Sequence, residues 1–195
     1  DERPIAVGKL TTEELLSLLS QRSKPPRLAT LALKSLQSDK HNRNEEVLRN
    51  AAALLHRLTV PPGSAGPESK DVSAKEQIAI RKYLKSNGAV FALLHILKAP
   101  QVRHATTLCY ALLAIGNLIA WDLDAHKQFR ESDGVASVAL CLRHFPDSMG
   151  IQENGCYALA CAAATYSSKT KSVFLHSSCI DLVVKALNQA NVGST

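Results

Sequence analysis

The segment Tyr83-Leu-Lys-Ser-Asn-Gly-Ala-Val-Phe-Ala-Leu-Leu-His-Ile-Leu97 decides the fold, because variants of it return twice further along the chain. The first is Phe129-Arg-Glu-Ser-Asp-Gly-Val-Ala-Ser-Val-Ala-Leu-Cys-Leu142. The second runs from Phe174 through Leu-His-Ser-Ser-Cys-Ile-Asp-Leu-Val-Val-Lys-Ala to Leu187. In each copy a polar stretch leads to a break, and an apolar run follows with the period of a helix. Gly88, Gly134 and Cys179 occupy the break, 46 and 45 residues apart. Glycine takes a positive φ without steric cost, so Gly88 and Gly134 predict sharp turns between two helices. Cys179 predicts a third break that is less sharp or mildly strained.

Longer apolar helices align with the same repetition. Val47-Leu-Arg-Asn-Ala-Ala-Ala-Leu-Leu-His-Arg-Leu58 matches Thr107-Leu-Cys-Tyr-Ala-Leu-Leu-Ala-Ile-Gly-Asn-Leu118 and Ile151-Gln-Glu-Asn-Gly-Cys-Tyr-Ala-Leu-Ala-Cys-Ala162. Ala51, Ala111 and Gly155 coincide, which predicts close helix approach at those positions. The ends at Leu58, Leu118 and Ala162 are 60 and 44 residues apart. The excess falls at about 59–76, around Pro61-Pro62-Gly63-Ser64-Ala65-Gly66-Pro67, and reads as a loop inserted between units. Upstream, Thr11-Thr12-Glu13-Glu14-Leu15-Leu16 opens a helix with a capping Thr and first-turn acids. Pro25-Pro26 ends that helix or starts the next. The reading is therefore one repeat domain over 9–187, flanked by terminal segments 1–8 and 188–195.

Composition supports helices throughout. The chain is 46% hydrophobic but 5% aromatic, and Ala and Leu lose little on entering a helix. The longest apolar run, Leu108 to Trp121, contains Gly116 and Asn117 and is too short to span a bilayer. Five cysteines lie inside apolar runs without a C-x-x-C pair, which points to buried thiols in a reducing, cytoplasmic compartment. No Cys/His spacing suits zinc, and no phosphate loop, metalloprotease helix or nucleophile elbow is present. The expectation is therefore no catalysis, no metal and no cofactor. His176-Ser177-Ser178-Cys179 reads as a helix junction, not an activated thiol.

The helix Ile151-Gln-Glu-Asn-Gly-Cys-Tyr-Ala-Leu-Ala160 and the ending Gly116-Asn117-Leu118 resemble the third helix of armadillo repeats. The Asn-Gly and Asp-Gly breaks resemble that family's junction between its first two helices. The likeness is strongest over 76–187, and HEAT-type repeats share the same diffuse pattern. It implies an all-α fold: a right-handed α-solenoid of three to four armadillo-like three-helix repeats, the last incomplete. Stability in such a stack comes mainly from neighbour interfaces. The last unit stops after its second helix, so the C-terminal end is expected to continue in a longer parent or to meet another chain, including a second copy. The opening at Asp1 without Met reads as trimmed from something longer.

The resemblance also implies a partner groove along the third helices, where residues four apart share one face. Armadillo grooves that hold extended basic peptides carry a Trp followed four residues later by Asn. The matching pairs here are Ala53/Arg57, Leu113/Asn117 and Tyr157/Cys161. Only Asn117 keeps the pattern, which does not support a nuclear-import-receptor groove. The expected partner-binding residues are Arg49, Asn50, Arg57, Tyr110, Leu113, Asn117, Glu153, Asn154 and Tyr157. Trp121 reads as a core plug under a turn, and Asp122 and Asp124 read as acids starting the next helix.

Charge supplies the competing reading. Residues 1–110 hold 17 Lys and Arg against 10 Asp and Glu, a net +7, whereas 111–195 hold 6 against 7, a net −1. Arg22, Lys24, Arg27, Lys34, Lys40, Arg43, Arg49 and Arg57 crowd one end and offer a site for a polyanion, nucleic acid or an acidic membrane surface. No interleaved aromatics accompany them for base stacking, and five acids dilute the cluster, so a protein or peptide partner is the preferred reading.

Overall fold

Among the described residues, nine consecutive helices fall into three sets of three. The computed structural model describes residues 6–20, 24–41, 43–61, 73–99, 102, 104–120, 122–164 and 179–192. A short 3-10 turn, Val7–Lys9, precedes α1 (Thr12–Ser20), α2 (Pro25–Gln37) and α3 (Glu45–Thr59). Then come α4 (Ala74–Ser86), α5 (Ala89–Lys98) and α6 (Ala105–Ile119). The third set is α7 (Leu123–Glu131), α8 (Gly134–His144) and α9 (Met149–Ala163). A tenth helix, α10, spans Cys179–Val192. No strand occurs among the described residues, so the chain is all-helical.

Local signals explain most boundaries. The Thr11 hydroxyl accepts from Glu14 N–H at 3.2 Å while the Glu14 carboxylate accepts from Thr11 N–H at 2.7 Å, a reciprocal cap on α1. Ser73 and Glu76 form the same box on α4. Pro25 starts α2, where its missing N–H costs nothing. Asp122 caps α7, its Oδ1 accepting from Asp124 N–H and Ala125 N–H at 3.1 and 2.9 Å. Helices α3 and α4 end and begin at Thr59 and Ala74, so the expected insertion separates them; its residues 62–72, like Trp121 and 165–178, lie outside the described residues. Helix α10 continues to Val192, past the expected limit at 187, and Val7 is buried in the core rather than in a loose terminal segment.

The junction glycines divide into two kinds. Gly88 has φ +78°, the left-handed turn expected of it. Gly134 does not: Asp133 takes the left-handed conformation at φ 57°, and Gly134 is the first residue of α8. Gly134 answers instead to crowding, because a Cβ there would lie 2.4 Å from the Phe129 ring. Cys179 likewise sits inside the first turn of a helix and is buried. Gly155 behaves as expected, since a Cβ would stand 2.5 Å from Leu142 Cδ2.

Packing repeats along with the elements. Helix α3 packs on α6 and α6 on α9, while α2 packs on α5 and α5 on α8. Within each set the second helix also packs on the third. The same polar link recurs between sets. Gln37, the last residue of α2, donates to the Asn87 carbonyl at 2.7 Å, and Lys98, the last of α5, donates to the Ser132 carbonyl at 3.3 Å. Burial repeats too, and α5 and α8 alternate identically when offset by 45 residues. One contiguous core runs from Val7 to Cys179.

Replacing Gly134 by Ala forces the Phe129 ring to move, and overpacking of this kind costs about 1–3 kcal/mol. Urea unfolding should show that loss, whereas Gly8→Ala, where a Cβ meets nothing within 4 Å, should stay within about 0.5 kcal/mol of the parent. Equal midpoints for the two variants would refute the ring contact.

Candidate partner-binding face

Helices α3, α6 and α9 are each 15 residues long and run side by side in the same direction. Contacts at both ends fix that register. At the start, Glu45 Oε1 on α3 accepts from His104 N–H, just ahead of α6, at 2.7 Å. Toward the other end, Asn117 Nδ2 on α6 lies 3.5 Å from both His56 Nδ1 and Thr59 Oγ1 on α3. Tyr157 on α9 donates its hydroxyl to Asn117 Oδ1 at 3.0 Å.

This register leaves equivalent positions uncovered on all three helices. Arg49, Cys109 and Glu153 form one row, Asn50, Tyr110 and Asn154 the next, and Ala53, Leu113 and Tyr157 the third. All are half-buried except Glu153, which is exposed. A fourth row changes character, because Arg57 is exposed, Asn117 is buried and Cys161 is half-buried. Of the nine expected residues, eight are exposed or half-buried and Asn117 is buried.

Asn117 corrects the expectation. It is 4% exposed, and its amide is already committed, accepting from Tyr157 and facing Thr59 and His56. An amide held this way is not free to pin a ligand backbone, since breaking a buried hydrogen bond leaves its partners unpaired. The cause lies next door at Gly116, where a Cβ would be 2.4 Å from Tyr157 Cε1. With no side chain at Gly116, the Tyr157 ring lies down over α6 and covers Asn117. Burial raises the Tyr157 phenol to about 12, so it stays protonated and keeps donating.

Two features missed by sequence reading complete the surface. His56 stacks on Tyr110, centroids 6.1 Å apart and planes at 25°, bridging α3 to α6. Desolvation lowers its pKa. Arg81 on α4 donates Nη2–H to the Thr59 carbonyl at the C-terminal end of α3, where helix carbonyls favour a cation. Beside it, Lys85 pairs with Asp122 at 3.0 Å and Asp124 at 3.3 Å, tying α4 to the start of α7. Hydrogen bonding to Asp122 raises the Lys85 pKa. Burial pushes the Asp122 carboxyl up, but the Ala125 N–H and Lys85 outweigh it and hold the group below its ordinary value. The interhelical distances that define these contacts leave no signature in the residue spacing.

Among the described residues no group of three His, Cys, Asp or Glu could hold a metal ion. Cys109, Cys141, Cys156 and Cys161 are free, and burial raises the Cys141 thiol to about 12, which suppresses the reactive thiolate. No helix among the described residues is long and apolar enough to cross a membrane. Comparison with family models, with curated proteins and with solved structures returned no match.

The lowered His56 pKa sets a direction for acid sensitivity. Above its unfolded value of about 6.5, His56 is neutral in both states and costs nothing. As pH falls below it, the unfolded chain gains a proton that folded His56 resists, so stability declines. Urea midpoints from pH 7.5 to 5 should therefore fall less in His56→Gln than in the parent. Parallel curves would show that His56 does not contribute to the decline.

Proposed function

We propose that this chain is an armadillo-type helical repeat stack that holds a protein or peptide along the α3–α6–α9 face, with no catalytic role. One observation carries this reading: three parallel helices leave equivalent positions uncovered in register, although α9 is also open at Met149, Ala160 and Ala163. Tyr and Arg are the residues that most often anchor protein interfaces. The free thiols suit a reducing compartment such as the cytoplasm.

The polarity of the face narrows the partner. Arg57 at the α3 side and Glu153 at the α9 side are exposed and make no ion pair among the described residues. Between them lie Tyr110 and Leu113. A segment with an acidic end, an apolar centre and a basic end would satisfy all three zones at once. Arg49 is partly engaged by Glu46 at 3.6 Å, an exposed pair that a ligand carboxylate could displace at little cost.

A displayed library of random peptides selected on the 195-residue chain tests the reading. Selected peptides should lose about 10-fold or more in affinity on Arg57→Glu or Leu113→Glu, corresponding to about 1.4 kcal/mol each. Lys75→Glu, distant on α4, should leave binding unchanged. Peptides indifferent to the groove substitutions would overturn the assignment. Binding confined to nucleic acid or anionic vesicles, with steep loss in salt, would replace it with the polyanion reading.

A further inference from the structure

The repeat supplies its own standard for α10. Offset by 45 residues, α5, α8 and α10 present equivalent positions: Val90, Val135 and Ile180, then Leu94, Ala139 and Val184. In the first two helices these side chains are covered, with Val90 and Ala139 at 0% exposure and Leu94 and Val135 at 2%. Each of those helices has a later one packed on it, α7 and α8 against α5, α10 against α8. In α10 the same positions are open, Ile180 at 54% and Val184 at 51%. They lie four apart, so they form one stripe on the helix. The opposite side of α10 is used, with Cys179 and Ala186 buried and α10 packed on α8 and α9. Thus α10 carries an apolar face at the place where its two predecessors receive the next helix layer.

The charges beside the stripe indicate what can cover it. Asp181 and Lys185 are exposed, one turn apart on the same flank, and neither forms an ion pair among the described residues. We propose that this face docks on the same face of a second copy, with the two α10 helices antiparallel about a two-fold axis. Antiparallel pairing sets Ile180 of each copy against Val184 of the other and brings Asp181 toward the opposite Lys185. Parallel pairing would put the two Asp181–Lys185 flanks on opposite sides of the contact, where neither charge meets its opposite. An isologous contact needs a self-complementary patch, and opposite charges at the two ends of a short stripe meet that condition. A head-to-tail stack is disfavoured because the other end of the repeat is covered by α1 and by buried Val7.

A contact between two helices of 14 residues is small, so association in the micromolar range is expected. Sedimentation velocity of the 195-residue chain from about 1 to 300 μM should show a reversible monomer–dimer equilibrium, midway in that range. Val184→Glu, an exposed position that leaves the helix content intact by circular dichroism, should yield monomer throughout. Asp181→Lys should weaken the dimer at least about 10-fold, and Asp181→Lys combined with Lys185→Asp should restore it, because the symmetric pairing survives exchange. A monomer at 300 μM would overturn the proposal and leave the stripe to a helix of different origin. A dimer unaffected by Val184→Glu, or a charge-exchanged variant that stays as weak as the single one, would overturn it as well. The peptide-binding reading is independent, since Arg57 and Leu113 play no part in these outcomes.

Discussion

The structure depends on one constraint: no set of three short helices here can enclose its own apolar face. Helices α3, α6 and α9 show this most directly. Leu112, Ile115 and Ala111 of α6 are fully buried, and α3 and α9 of the neighbouring sets supply most of what packs on that helix. Apolar burial is worth roughly 25 cal/mol per Å², so each set is stabilised chiefly by area shared with its neighbours. That condition also forces the register. Once α6 is clamped between two parallel helices, the residues it leaves uncovered are Ala105, Thr106, Cys109, Tyr110 and Leu113. The candidate binding face is thus a remainder, set by where neighbours are absent.

The polar links follow the same logic. Where two sets meet, some helix-end carbonyls face another chain segment instead of water, and buried carbonyls require donors. Arg81 and His126 meet that requirement at the C-terminal carbonyls of Thr59 and Ala162, while Gln37 and Lys98 reach exposed junction carbonyls at equivalent places. Different residue types at equivalent positions perform one task, which is why the repetition shows in geometry more clearly than in identity.

The degree to which the sequence was legible follows from this. Helix periodicity, the cap at Thr11, the acids Asp122 and Asp124 at a helix start, and the spacing of the sets are local properties, and they are readable because they depend on residues close in the chain. Eight of the nine expected face residues are accessible for the same reason: helical spacing alone assigns them to one side. The failures are tertiary. Gly134 looked like a turn residue, yet its partner is the Phe129 ring, and the left-handed turn fell to Asp133, a residue type that tolerates it through its short polar side chain. His56 stacking on Tyr110 joins residues 54 positions apart and has no local signal at all.

Asn117 shows how one glycine redirects a recognition surface. Its position in α6 resembles the place where armadillo grooves present an amide to a peptide. A residue larger than Gly at 116 would lift the Tyr157 ring away from α6, because even a Cβ would lie within 2.4 Å of it. With Gly, the ring settles, its hydroxyl takes the amide oxygen, and the amide nitrogen turns toward Thr59 and His56. An Asn that would otherwise bind backbone becomes a tie across three helices. On the proposed reading, recognition would then fall to side chains of mixed charge flanking Tyr110 and Leu113, which would select a partner by its own side chains instead of by its backbone. A surface polarised from Arg57 to Glu153 would in that case impose a direction on whatever lies across it.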